Sequence, residues 1–147
     1  MIDFVRITSA QEIHNLITEF LPLLPHLKEK QSDLFAFSEK LSKFAVVVAA
    51  KKDGVYASFV VFYSNDKETK CGYFTLLATK PEFQGQGLGK ALYNYGFETM
   101  KKDGMETARL EVDCDNPIAI KLNEKIGFVY ESDTDRNSIY MKKDLKD

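Results

Sequence analysis

Apolar residues recur along this chain in two rhythms. Phe4-Val5-Arg6-Ile7 alternates and predicts a first strand. Ile13, Leu16, Ile17 and Phe20 then follow a helical spacing. Ser9 stands before them as a helix N-cap, with Glu12 three positions on to complete a capping box. Pro22 and Pro25 end that helix, and Leu34, Phe35, Phe37 and Leu41 predict a second one. Two β-rich runs, Phe44 to Ala50 and Val55 to Tyr63, flank the turn Lys51-Lys52-Asp53-Gly54 and read as a hairpin. After the turn at Ser64-Asn65-Asp66-Lys67, Cys71 to Thr79 continues the meander as a third strand. Gly87 to Lys102 reads as a helix with Ala91, Leu92, Tyr95 and Met100 on or near one face, stopped by Asp103-Gly104. Thr107 to Asp113 is a strand with Leu110 and Val112 on one side and Glu111 and Asp113 on the other. Asn116 caps a short helix to Lys125 that Gly127 ends, and Phe128-Val129-Tyr130 with Ser138 to Lys142 form a closing hairpin. The order β-α-α-β-β-β-α-β-α-β-β predicts an α+β fold: a mixed, mostly antiparallel sheet of about seven strands with helices on both faces.

Composition narrows what such a fold is for. A length of 147 residues predicts one domain, 1–147, with a proper core. The formal net charge of −2 gives no general attraction to nucleic acid, and the lysines alternate with acids, as in Lys28-Glu29-Lys30, instead of forming a basic stripe. The longest strongly apolar run, Phe44 to Ala50, is far short of the ~20 residues a membrane span needs. Met1 to Thr8 lacks the charged head and apolar stretch of a signal peptide, so the expectation is a cytoplasmic protein with no membrane partner. Cys71 and Cys114 fit no zinc or redox spacing and read as free thiols, while His14 and His26 read as surface or partly packed helix residues; no metal is expected.

The segment Gln84-Gly85-Gln86-Gly87-Leu88-Gly89-Lys90 stands between a strand and a helix. Glycine loses the most freedom on folding, so three in five residues make sense where backbone must approach a ligand. A glycine-rich turn opening a helix aims several N–H groups at one point, which suits a phosphate or diphosphate. A P-loop needs a glycine and a Ser or Thr where Gln84 and Ala91 stand, and a dinucleotide fingerprint needs glycine where Lys90 or Leu92 stands, so both fail.

The loop resembles the acyl-CoA loop of the GNAT superfamily of N-acetyltransferases, whose pattern Q/R-x-x-G-x-G/A is met by Gln84, Gly87 and Gly89. Thr79-Lys80-Pro81-Glu82-Phe83 leads into it as the family's segment does. Asn116-Pro117-Ile118-Ala119, Leu122 and Glu124-Lys125-Ile126-Gly127-Phe128 match the family's second block, N-x-x-A-x-x-L-Y-E-K-x-G-F. Residues 8–43 carry no such match.

The resemblance implies transfer of an acetyl group from acetyl-CoA, as co-substrate, to a primary amine. Gln84, Gly85, Gln86, Gly87, Leu88, Gly89 and Lys90 would hold the diphosphate, with Lys80 a further cation. Leu77, Ala78 and Thr79 would pair with pantetheine, and Asn116 would touch its arm. About one alkylammonium in a thousand is neutral at pH 7, so a base must take its proton. The strand Cys71 to Thr79 holds no carboxylate, and Tyr73 stands about where one is sought. Leu110-Glu111-Val112 resembles the segment of ribosomal-protein N-terminal alanine acetyltransferases whose glutamate is the base, which makes Glu111 the candidate and Asp113 a weaker one. Asn123 replaces the family's acid tyrosine; it could hydrogen-bond the departing sulfur, or Tyr73, Tyr93 or water could act instead. The expected acceptor is a small-molecule amine. The alternatives are a protein N-terminus or lysine, and a non-catalytic acyl-CoA-binding module. Family members often dimerise through their late strands, which makes the Tyr140-Met141 strand a candidate for homodimer contact.

Overall fold

The computed structural model describes residues 1–25 and 27–146, so the expectation for His26 lies outside the described residues. Seven strands form one sheet: β1 (Ile2–Arg6), β2 (Val46–Lys52), β3 (Val55–Tyr63), β4 (Cys71–Thr79), β5 (Thr107–Asp113), β6 (Val129–Asp133) and β7 (Ser138–Asp144). Their order is β1-β2-β3-β4-β5-β7-β6. The β1/β2, β2/β3, β5/β7 and β6/β7 pairs are antiparallel and β4/β5 is parallel, as a mixed, mostly antiparallel α+β sheet requires. The helices are α1 (Ala10–Phe20), α2 (Leu27–Lys30), α3 (Leu34–Phe44), α4 (Leu88–Lys102) and α5 (Pro117–Lys125).

The sequence-derived order needs one addition, α2, whose four residues are too few to show a helical period. The ends of β1, α4, β6 and β7 shift by a few residues, and two boundaries at the β2–β3 hairpin move with more consequence. Phe44 ends α3 instead of opening β2, and Lys51 and Lys52 belong to β2. That leaves Asp53-Gly54 as a two-residue turn with φ of 53° and 79°, the doubly left-handed form that matches strand twist. Ser9 caps α1 as its position predicts. Its hydroxyl oxygen accepts the Glu12 N–H at 3.1 Å and its O–H donates to the Glu12 carboxylate at 3.0 Å.

These elements divide into two compact units. The first comprises Met1–Phe62 and Leu76–Tyr93. The predicted stripe of α1 (Ile13, Leu16, Ile17 and Phe20) is fully buried, and Phe20 meets Phe59 of β3 edge-on with ring centroids 4.9 Å apart. Val47–Ala50 and Ala57–Phe62 are buried without a break, so β2 and β3 read as continuous apolar runs instead of alternating ones.

The second unit comprises Tyr63–Thr75 and the chain from Asn94 onward. Phe74 meets Phe97 and Phe128 edge-on, with centroids 5.5 and 6.3 Å apart, and Leu110, Val112 and Met141 complete the core. Gly72 leaves room for Met100: a Cβ there would lie 2.4 Å from the Met100 sulfur, in a side chain that is fully buried and would have to shift. Gly72→Ala is therefore expected to lower stability by about 1–3 kcal/mol, read as a reduced denaturation midpoint with an unchanged slope. Strand β7 lies between β5 and β6. The Tyr140-Met141 strand thus has a neighbour on each side, and β1 and β6 are the outer strands of the sheet. No helix among the described residues is long and apolar enough to cross a membrane.

Candidate functional site

In the first unit the chain leaves β4, makes one 3-10 turn at Pro81–Phe83, and enters α4 through Gln84–Gly87. Gly85 and Gly87 adopt φ of 78° and 79°, which side-chain-bearing residues avoid. The Gly87 carbonyl accepts the Ala91 N–H at 3.0 Å, so Gly87 caps α4. The amides of Leu88, Gly89 and Lys90 therefore precede the first donor of the intrahelical ladder. Glycine has no side chain with which to cap them, and the first turn carries no acid. A Cβ at Gly85 or Gly87 would meet nothing within 4 Å. Packing within the protein therefore does not require these glycines; their left-handed backbone does.

The flanks of the loop are fixed. Ser58 Oγ donates to the Ala78 carbonyl at 2.8 Å and lies 2.7 Å from Thr79 Oγ1, and the Lys80 N–H bonds the Ala57 carbonyl at 2.9 Å. Gln84 Nε2 donates to the Thr79 carbonyl at 3.2 Å, and Lys52 Nζ donates to Gln86 Oε1 at 2.8 Å. Lys80 pairs with Glu19, and its ammonium lies 5.2 Å from the centroid of the Phe20 ring. Lys90 is exposed in the first turn of α4. Tyr93 is buried, and burial pushes its phenol well above the usual range.

The second unit holds the other candidates. The parallel ladder pairs Cys71–Phe74 with Thr107–Leu110, while Leu77, Ala78 and Thr79, past its end on β4, belong to the first unit. Glu111 faces away from the core side of β5, as the alternation predicts, yet its side chain is only 18% exposed. Arg136 grips both of its oxygens, Nε on Oε2 at 3.1 Å and Nη2 on Oε1 at 3.0 Å, and Ser138 Oγ donates to Oε2 at 2.6 Å. The β6–β7 turn is built to present that arginine: Thr134 Oγ1 accepts the Arg136 N–H at 3.0 Å and lies 2.6 Å from Ser138 Oγ. Hydrogen bonds to Glu111 and then Tyr140 hold the Arg136 guanidinium further in its charged form.

Tyr140 stands opposite Glu111 in the β5/β7 register. The Arg109 guanidinium stacks 3.9 Å from its ring centroid and donates to Glu131 at 2.7 Å. Burial first, then the negative charge of Glu111 and the proximity of Tyr140, push the Tyr73 phenol up to about 12, with Arg109 and Arg136 opposing. The structure thus brings Tyr73 and Glu111 into one electrostatic cluster. On α5, Asn116 caps the helix by accepting the Ala119 N–H at 3.1 Å, and Asp113 is exposed. Asn123 is 3% exposed, its amide donating to Met141 Sδ at 3.8 Å. Sequence reasoning missed Arg136, Ser138 and Tyr140, because their relation to Glu111 exists only once β5 and β7 are in register, and Arg109, which stands two residues before Glu111 on β5.

A Tyr73 phenol held at about 12 has a titration consequence. The folded state keeps this proton above the ordinary value of 10.0, so the associated stability is complete below that value and is lost as pH rises toward 12. Tyrosinate absorbance is expected to develop in an early and a late stage, the late one accompanied by falling stability. Tyr73→Phe is expected to shrink the late stage; an unchanged late amplitude would contradict the shift.

A family model described as the Acetyltransferase (GNAT) family matches residues 10–128. Over 67 residues the chain is 42% identical to a mycothiol acetyltransferase of Streptomyces coelicolor, a match covering 45% of this chain and 22% of that protein, so the chain spans about a fifth of that relative. Over 123 residues it is 31% identical to the ribosomal protein bS18 alanine N-acetyltransferase of Escherichia coli K12, covering 79% of each. The crystal structure of the PaiA N-acetyltransferase of Thermoplasma acidophilum in complex with coenzyme A superposes with a TM-score of 0.78 at 21% identity, over 98% of this chain and 99% of that one, a likeness of fold.

Proposed function

The chain belongs to the GNAT family of acetyltransferases, and on that premise we propose that it moves an acetyl group from acetyl-CoA to a primary amine of a small molecule. The observation that carries the reading is the glycine cap of α4, which leaves the Leu88, Gly89 and Lys90 amides without a side-chain cap from Gly87 and without a first-turn acid. Backbone donors and the helix dipole there suit the carrier's diphosphate. Leu77, Ala78 and Thr79, beyond the β4/β5 ladder, would pair with pantetheine, and Asn116 would reach its arm.

In the reaction the amine nitrogen attacks the thioester carbonyl, the C–S bond breaks, and the nitrogen gives up a proton. Glu111 is the group we assign to take that proton, held in place by Arg136 and Ser138. Tyr73 is the hydrogen-bond donor we assign to the leaving thiolate, since its phenol keeps its proton beside a weaker base and steadies the charge on sulfur, which takes its own proton from solvent. Asn123 is the poorer choice, because its amide is turned onto Met141 inside the second unit. A thiolate of pKa near ~8.5 needs little help in leaving, so the base carries more of the rate than the acid.

The relative named for mycothiol favours a small acceptor. A protein N-terminus is the second reading, favoured because the bS18 alanine N-acetyltransferase matches over 79% of both chains. Release of CoA thiol from acetyl-CoA, followed with a panel of free amines beside alanine-initiated peptides, separates them. Turnover of amines without peptides supports the first reading, and the reverse supports the second. No thiol release from folded protein with either class would overturn both.

A further inference from the structure

We infer that Lys52, on the β2–β3 hairpin, is a cationic contact for the carrier's diphosphate, supplied from outside the glycine loop; the inference rests on the acetyl-CoA reading of that loop. Lys52 is the last residue of β2, paired with Ile2 of β1 on one side and Val55 of β3 on the other, so its backbone is fixed from both edges. A register shift between Ala50 and Lys51 interrupts the β2/β3 ladder, and such irregularities re-aim the side chains that follow. The two lysines diverge as successive strand residues do. Lys51 lies over the Tyr56 ring, 5.1 Å from its centroid, whereas Lys52 reaches 2.8 Å from Gln86 Oε1. Gln86 sits between the two left-handed glycines and one residue before the cap of α4. The contact therefore brings an ammonium to the side chain next to the candidate phosphate-binding amides.

Two comparisons give this lysine the role. An ammonium has three N–H donors, and the Gln86 carbonyl takes one. Gln86 is also neutral, so that contact leaves the charge of Lys52 uncompensated. Lys80, which the sequence also offers as a phosphate contact, already pairs with Glu19, so much of its charge is matched within the protein. Lys52 is half-buried and anchored, which reduces the side-chain freedom it would lose on meeting a phosphate.

The test is calorimetric binding of CoA and of dephospho-CoA to the wild type, Lys52→Met and Lys52→Arg. Matched thermal melts should confirm that each variant is folded, which a change at the end of a hairpin strand is expected to permit. Lys52→Met is expected to weaken both ligands about tenfold at low salt, Lys52→Arg to stay within about twofold of wild type, and the difference to shrink as salt is raised. Equal affinities of wild type and Lys52→Met for both ligands would overturn the inference alone. A loss confined to CoA would also overturn it, by moving the contact to the 3′-phosphate. A wild type that binds neither ligand would overturn the acetyl-CoA reading itself.

Discussion

Gly87→Asp is expected to raise the Kd for acetyl-CoA at least about 100-fold while the protein stays folded. The two halves of that expectation have separate physical origins. A Cβ at Gly87 meets nothing within 4 Å, so the substitution creates no clash. Its backbone penalty at φ of 79° is about 1–2 kcal/mol, partly offset by the capping ability of aspartate, worth about 1 kcal/mol. Ligand binding suffers twice over. The new carboxylate accepts first-turn amides that the diphosphate would use, and it repels that diphosphate, with like charges 4 Å apart near a surface interacting by about 4 kcal/mol. Gly104→Asp is a strain-matched control, since Gly104 has φ of 87° and equally open space at the other end of α4. Calorimetry on the three proteins should show the loss at Gly87 and none at Gly104. Full affinity in Gly87→Asp would remove the basis for a phosphate site at this helix.

The second large effect is expected at Glu111. Glu111→Gln is nearly isosteric and keeps an oxygen to accept from Ser138 or Arg136, so acetyl-CoA affinity should change by less than about twofold, while kcat falls by about 10²–10⁴ through loss of the proton acceptor. If the Glu111–Arg136 pair only joins β5 to the β6–β7 turn, the variant would instead lose a little stability, since one partner is half-exposed and screened by solvent, and keep its kcat. Single-turnover rates together with a denaturation curve separate these outcomes. A normal kcat would move the base to another group.

Much of the fold was legible because its signals are local. The stripe Ile13, Leu16, Ile17 and Phe20 proved to be the buried face of α1, and Ser9, Asn116 and the Asp53-Gly54 turn do locally what their residue types favour. Where legibility failed, the competing preference is identifiable. Phe44 has a side chain suited to a strand, yet it closes the last turn of α3. Lys51 and Lys52 look like turn residues but still pair in β2, because two residues suffice for the turn.

The order of elements and the presence of a glycine-rich loop at a helix entrance were set by the sequence itself, since period, capping and glycine placement act within a few residues. The tertiary structure alone decided which groups surround the candidate residues. Arg136 and Ser138 reach Glu111 from 25 and 27 residues away, Glu19 neutralises Lys80 across 61, and Lys52 reaches Gln86 across 34. Such encounters depend on strand register and on the paths of long side chains, and no short window of sequence contains both partners.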